Sequence, residues 1–263
     1  MNRLIWVTTV AIALVFSVAS AQPQSTQNAQ LAELNSLKEK VKDPDTRTRV
    51  AASHRVWTIA LASDNPEVKI LALDLMKEPL GSASDHIRIP AVYAVVEIAN
   101  STADPTVKSK ALAALRAPMA AGQLPIRLAA LDAVNSILCS ATTGDLALEA
   151  VELLAEPVRS GNNGIRMPAI NAVSHVALAS NDDRALSAAI ELMQAPLAST
   201  ALIGGMEVRM MAVVEVEKLA LKTHQAATKT NLSKCSRPAP RTIFGSRKHN
   251  VVPRMLQPGY GVP

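Results

Sequence analysis

The chain has 263 residues, of which 49% are hydrophobic and only 2% are aromatic, and it carries 27 basic against 22 acidic residues. An apolar share this high excludes an intrinsically disordered protein and suffices for one substantial core. Carbohydrate clefts and single-stranded nucleic-acid grooves depend on stacking aromatic side chains, so the composition argues against both kinds of site. Two cysteines are too few for a disulfide-dense domain or a four-thiolate zinc site.

The first 21 residues have the pattern of a signal peptide. A short positive start that includes Arg3 precedes an apolar run from Leu4 to Val18, and Ala19-Ser20-Ala21 then matches the small-residue pattern of a signal peptidase site. The run is shorter than the ~20 residues that span a bilayer, which favours cleavage over an uncleaved anchor. We therefore expect an exported protein, periplasmic or secreted, after cleavage near Ala21.

Residues 22–45 are predicted to form a linker and an N-terminal capping helix. The helix is expected at residues 30–42, where Leu31, Leu34, Leu37 and Val41 fall on one side. A stack of repeats needs a polar outer face at its end, and this charged stretch provides one.

The next part of the chain, residues 46–221, repeats with a period of 39 residues. Five segments align on an arginine, with spacings of 39, 39, 39 and 43: Arg49, Arg88, Arg127, Arg166 and Arg209. Alanine stands three positions later in every segment: Ala52, Ala91, Ala130, Ala169 and Ala212. Valine stands seven positions later: Val56, Val95, Val134, Val173 and Val216. These offsets lie on one face of a helix, so the segments predict five copies of one helix, called helix A.

A second helix, helix B, is predicted in the other half of each repeat. It precedes a proline that also recurs every 39 residues, at Pro79, Pro118, Pro157 and Pro196. Because proline lacks an N–H and disfavours helix in the residue before it, we expect each helix B to stop there.

The repeating helix pair resembles the short HEAT-like repeats, on the alanine and valine columns and on Pro90 and Pro168 near the start of helix A. The resemblance implies an all-α, right-handed α-solenoid, armadillo-like, of about four and a half two-helix repeats. It also implies that B helices line a concave face on which partners dock. The charged residues expected on that face are Asp74, Lys77, Lys110, Arg116, Glu149, Glu152 and Glu191.

The arginine column has two possible roles. As a structural ladder, each guanidinium would donate to carbonyls of the preceding linker or to a neighbouring carboxylate and fix the stacking of repeats. As a functional row, the five cations would bind an extended anion. The adjacent alanine and valine columns mark the region as packing, which favours the structural role.

Residues 222–263 are predicted to form a basic, Pro-rich, disordered tail. No acidic residue follows Glu217, and eight basic residues lie between Lys222 and Arg254. Three interpretations remain open: a solvated terminus, an electrostatic arm for an anionic polymer or membrane, or a sequence artefact that replaces a missing helix B.

The sequence shows no catalytic or metal-binding pattern. The five histidines lack the i, i+4 spacing of a helical metal site, and His54 and His175 are expected to be ordinary surface or groove residues. Cys139 stands in a mostly apolar column and is expected to be buried. We therefore expect neither metal nor cofactor.

The sequence favours an exported, non-catalytic protein that binds an unidentified protein or peptide on the concave face of the solenoid. The alternatives are a structural envelope protein held by its tail to an anionic polymer or membrane, and a lyase-like enzyme subunit.

Overall fold

The computed structural model describes residues 24–139, 143–198 and 205–235, with side chains in the last range up to Gln225. The predicted signal peptide lies outside these ranges. By its contacts the chain divides into two units, Met1–Gln225 and Ala226–Pro263. Of the second unit only residues 226–235 are described, and they are helical. Throughout the described ranges the regular elements are helices, with no strand.

The helices occur in pairs. The A helices are α2 (Thr46–Leu61), α4 (Asp85–Asn100), α7 (Leu124–Cys139) and α10 (Asn163–Ser180), and their first residues are 39 apart. The B helices are α3 (Pro66–Leu80), α5 (Pro105–Ala114), α8 (Gly144–Leu153) and α11 (Asp183–Leu192), again with starts 39 apart. Short helices follow three of them: α6 (Arg116–Met119), α9 (Ala155–Arg159) and α12 (Gln194–Leu197). Helix α1 covers residues 24–37, a 3-10 turn covers Lys40–Lys42, and α13 covers Gly205–Cys235.

The helices form two layers around one core. A helices α2, α4, α7 and α10 pack side by side in chain order, B helices α3, α5, α8 and α11 do the same, and each A helix also packs on its own B helix. The alanine column and the first four valines of the repeat are buried, and Val216 is partly buried against the core. The chain is therefore an all-α solenoid built on the two predicted columns.

Each B helix begins at a side-chain cap. Asn65, Asp104, Thr143 and Asp182, spaced by 39 residues, each accept a hydrogen bond from a backbone N–H in the first turn of the helix that follows. These N–H groups have no partner inside a helix, and such a cap contributes about 1 kcal/mol. The caps fix where each B helix starts, and therefore the length of the turn between the layers.

The proline column does not end the B helices in the predicted way. In the last three repeats the helix is interrupted three residues earlier, at Leu115, Leu154 and Met193, and the proline lies in the first turn of the short helix that follows. In the first repeat Pro79 lies inside α3, one residue before its end. The reason is that the first turn of a helix needs no N–H donor, so proline is tolerated there.

The last helix crosses the boundary predicted at Leu221. Helix α13 continues to Cys235, because residues 222–235 contain neither glycine nor proline and are rich in helix-forming Lys, Ala and Gln. The rest of the predicted tail, residues 236–263, lies outside the described residues.

The N-terminal helix starts earlier than predicted. Helix α1 begins at residue 24 and ends at 37, before the 3-10 turn. Leu34, Leu37 and Val41 are buried, and Leu31 packs against the core. Arg55 Nε donates to Glu33 Oε1 at 2.6 Å, so an ion pair also joins α1 to α2. The first A helix is therefore covered on its outer side.

Two lysines lie in the core of the B layer, which the sequence analysis did not anticipate. Lys69 and Lys108 occupy the same repeat position, 39 residues apart, and each is 1% exposed. Lys69 Nζ donates to the carbonyl and to the hydroxyl of Ser101, at 3.0 and 2.5 Å, at the C-terminal end of α4. Burial lowers the pKa of Lys69, and the charge of Asp64 partly opposes this shift. The lysine thus connects repeat one to the second A helix.

We predict that Lys69→Ala lowers the free energy of unfolding by about 2 kcal/mol, because it removes a buried aliphatic stem and leaves the Ser101 carbonyl without its donor. The exposed Lys77 on the same helix is the matched control, and Lys77→Ala should cost at most about 0.5 kcal/mol. Urea unfolding followed by circular dichroism measures both. Equal midpoints for the two variants would contradict a structural role for Lys69.

Candidate functional site

The repeat arginines contact the backbone of the linkers. Arg49 Nη1 donates to the carbonyls of Asp43 and Pro44 at 2.9 and 3.2 Å. Arg88 donates to the carbonyl of Ser82 from Nε, at 2.7 Å, and from Nη2. Its Nη1 donates to Gln123 Oε1, at 3.2 Å, just before the next A helix. Each of these side chains therefore holds the linker that precedes its helix.

The later arginines extend the same pattern to the following repeat. Arg166 donates to the carbonyl of Val158 at 3.1 Å and to that of Ala195 at 3.4 Å. Arg127 Nη2 instead donates to Glu156 Oε2 at 2.6 Å, and Arg209 is partly buried near the start of α13. With donors directed at backbone carbonyls or at a carboxylate, the first four arginines of the column are poorly placed to bind an extended anion.

The basic half of the predicted docking surface is paired within the chain. Asp74 lies between Lys77 Nζ and Lys110 Nζ, at 2.8 and 2.9 Å from the same carboxylate oxygen. Partial burial raises the pKa of Asp74, but the hydrogen bonds and charges of the two lysines outweigh this, and the pKa falls below its usual 3.8. These three predicted binding residues thus form an ion-pair cluster that joins repeats one and two.

The acidic half of that surface has no such compensation. Glu152 and Glu191 occupy the same position in consecutive repeats and are exposed, and Glu149 lies one turn before Glu152 on α8. Within the described residues none of the three forms a hydrogen bond or ion pair. Arg116 is exposed beside a shallow depression that Glu152 and Glu156 also line. The structure therefore leaves a negatively charged stretch on the later B helices.

A concave, mostly apolar groove lies between α2 and α4. It has a volume of about 370 Å³, within the usual range of ligand sites. Its lining is predominantly apolar. It includes Ser53, His54 and Trp57 from α2 and His86, Pro90 and Tyr93 from α4. The repeat pattern of the sequence does not predict this groove.

The groove follows from a local change in the packing between neighbouring A helices. We call positions 1, 4 and 8 after each repeat arginine the leading face of helix A, because this side faces the next A helix. Position 4 is buried and branched in the next three repeats, at Val92, Leu131 and Ile170. In α2 the same position is Ser53, which is too small to fill the space and instead donates to the Arg49 carbonyl at 2.8 Å.

The groove also brings together two aromatic residues. Within the described residues Trp57 and Tyr93 are the only members of the Trp, Tyr and Phe class, and both line it. Tyr93 is 57% exposed. The ring of His54 meets the indole edge-on, with centroids 5.0 Å apart, and Trp57 Nε1 is buried without a hydrogen-bond acceptor in the described part of the chain. The low aromatic content therefore does not exclude an aromatic-lined site.

Cys139 is exposed and carries a free thiol, contrary to the prediction that it is buried. Its column, twelve positions after the arginine, lies at the end of helix A, where Leu61 is 38% exposed and Asn100 is exposed. Leu178 at this position packs partly against the core, so the column mixes exposed and partly buried residues. His175 is exposed on α10, as expected of a surface residue.

Two further properties concern the described residues alone. No three or more His, Cys, Asp or Glu side chains among them lie close enough together to hold a metal ion. None of their helices is both long and apolar enough to cross a membrane.

The helix pairs and their stacking define the class of protein: the chain has a HEAT/armadillo-like helical repeat fold. No protein-family model and no curated protein matches it. Among solved structures it is similar to an engineered protein from the Northeast Structural Genomics Consortium, with 16% identity, 72% of this chain and 80% of that chain covered, and a TM-score of 0.44. It is also similar to a designed armadillo repeat protein, with 17% identity, coverage of 71% and 99%, and a TM-score of 0.28. Both scores are below 0.5, so the assignment rests on the helix geometry.

We predict that Asp74→Asn lowers the free energy of unfolding by about 0.5 kcal/mol at pH 7 and low salt, a value kept small because solvent screens the 38% exposed carboxylate. The folded-state pKa of Asp74 is depressed, so the stabilisation is fully present above the ordinary value of 3.8 and disappears as the pH falls through the folded-state value. Urea unfolding at several pH values, with exposed Asp132→Asn as control, measures this. A difference that persists unchanged at pH 2 would contradict the ion-pair origin.

Proposed function

We propose that this protein is a non-catalytic, protein-binding scaffold, and that the α2–α4 groove is its main docking site for an apolar or aromatic side chain of a partner. The observation that carries the proposal is the position of Trp57 and Tyr93 in one open apolar groove on a rigid repeat framework. Exposed aromatic residues in a concave apolar site are the usual energetic centre of a protein interface.

The polar groups around the groove suit a peptide better than a purely apolar ligand. Pro90 lies inside α4 and has no N–H, so the carbonyl of His86 lacks its usual helical donor. Trp57 Nε1 has no acceptor among the described residues, but the atom is buried. A peptide segment carries an N–H beside each side chain, and it can therefore supply a donor to the His86 carbonyl while its side chain enters the groove.

The acidic stretch on the B helices is proposed as a second contact surface of the same scaffold. Among the described residues Glu149, Glu152 and Glu191 form no ion pair, whereas Asp74 forms two. A basic segment of a partner would find complementary charge there, and charges at the rim of an interface mainly raise the association rate. Export after cleavage near Ala21 remains part of the proposal, on the sequence of the first 21 residues alone.

The groove is tested by the fluorescence of Trp57, which becomes the only tryptophan once the chain starts at Gln22. Peptides selected on this protein from a random 12-residue library are expected to share an apolar or aromatic residue and to change the emission of Trp57. Tyr93→Ala should weaken their binding about thirtyfold, which corresponds to the ~2 kcal/mol of an interface hot spot.

The matched variant for the groove is Ser53→Leu, which introduces the kind of side chain that later repeats carry at this position. It should fill the groove and abolish peptide binding while leaving the melting temperature unchanged or higher. Peptides that bind Tyr93→Ala and Ser53→Leu as tightly as the parent protein would refute the groove as docking site.

The acidic stretch is tested by the triple substitution of Glu149, Glu152 and Glu191 with Lys. We expect it to slow association of basic peptides at least tenfold at low salt and to have little effect in high salt. Stopped-flow mixing measures the rate, and neutral peptides that bind the groove are the control. An unchanged rate for basic peptides would show that the B-helix surface is not used.

A further inference from the structure

The last helix, α13, exposes an apolar stripe that the other A helices cover. The stripe consists of Met206, Met210, Val213, Val214 and Leu221, each between 48% and 65% exposed. Its opposite side packs on the solenoid through the buried Val208, Ala212 and Leu219. The stripe therefore lies on a helix anchored in the fold, over a length of ~22 Å at 1.5 Å per residue.

The exposed stripe is the leading face of the last A helix. Met210 and Val213 stand one and four positions after Arg209, the positions at which α4, α7 and α10 pack against their neighbours. One direct contact shows the orientation: Asn100, twelve positions after its arginine, donates to Ser136 Oγ on the next A helix at 3.0 Å. Leu221 occupies the position of Asn100 in α13. The stripe thus continues the established interface between A helices, and it is shaped to receive another helix.

We infer that a second copy of this chain covers the stripe, and that the two α13 helices pack antiparallel about a two-fold axis near Val213 and Val214. This inference is independent of the proposed groove. The centre and the ends of the stripe are self-complementary about that point, because Met206 lies seven residues before Val213 and Leu221 seven residues after Val214. In an antiparallel pair Met206 therefore faces Leu221 of the second copy. The exposed Glu217 lies on the same side of the helix and would stand opposite Met210 of the second copy.

The N-terminal end of the solenoid argues against a head-to-tail arrangement. The side of α2 that would receive the leading face of another copy already carries α1, held by buried leucines and by the pair between Arg55 and Glu33. With that end covered among the described residues, the equivalent stripe of a second copy is the surface that best matches it. The result is a closed dimer rather than a filament.

The inference is tested on the chain from Gln22 to Pro263 by sedimentation velocity between about 2 and 200 µM. One helix pair is a small interface, so we expect a dimer that dissociates in the micromolar range. Val213→Glu should raise the dissociation constant at least tenfold. The control is Asn171→Glu, which adds the same charge at an exposed position of α10 and should leave association unchanged. Circular dichroism checks that both variants keep their helix content.

Cross-linking checks the geometry. In a background with Cys139→Ser and Cys235→Ser, Val213→Cys should form a covalent dimer on mild oxidation and Asn171→Cys should not. A monomer at every concentration would overturn the inference, and so would a dimer that Val213→Glu leaves unaffected. Equal cross-linking of the two cysteine variants would likewise exclude pairing through α13.

Discussion

The structure depends on the side-by-side packing of consecutive A helices. The leading face of each helix presents branched apolar residues such as Val92, Leu131 and Ile170, and the facing side of the next presents Ile87, Ile126 and Ile165, all buried. Burying a side chain of this size contributes about 1.5–3 kcal/mol. Because a repeat contacts only its neighbours, any change in this interface has a local effect, and each end of the stack is left with one face to cover.

The packing between A helices also explains the two candidate surfaces, the α2–α4 groove and the apolar stripe on α13. Where Ser53 replaces a branched residue, the interface opens and becomes the α2–α4 groove. On α13 the face is complete, but its apolar side chains are exposed and no described helix packs on them. The α2–α4 groove is thus a gap in the packing between A helices. The stripe on α13 is a packing face of the same kind that is left exposed. Neither requires a departure from the two-layer fold.

Much of the fold could be predicted from the sequence, because its columns report directly on burial. The alanine and valine columns identified the core side of helix A, and the fixed spacing located both helices of each repeat. The proline column led to a wrong prediction of where the B helices end. Proline is compatible with a helix in two places, at the end of the helix and in its first turn, and the sequence pattern does not distinguish them. Cys139 was wrongly predicted to be buried, because a column of leucines does not by itself distinguish an exposed position from one in the core.

The candidate site was much less predictable. Trp57 and Tyr93 are 36 residues apart and occupy different repeat positions, so only the packing of α2 on α4 brings them together. The repeat spacing predicted which charged residues lie on the B helices. It could not show that Lys77 and Lys110 both pair with Asp74. The burial of Lys69 could not be predicted, because a lysine in a sequence is normally expected at the surface. Its hydrogen-bond partner, Ser101, is 32 residues away in the chain and is identified only by the structure.

The capped and locally bonded repeats also have a mechanical consequence. Each of the four B helices has its own side-chain cap, and in three of these repeats the arginine also donates to the backbone of the segment that precedes its helix. A chain pulled from its two ends would therefore yield one repeat at a time, because the loss of one unit removes contacts only from its neighbours. At about 3.4 Å per extended residue, each event would lengthen the chain by about 13 nm. Under such a force the chain would lengthen in steps, one for each repeat that unfolds.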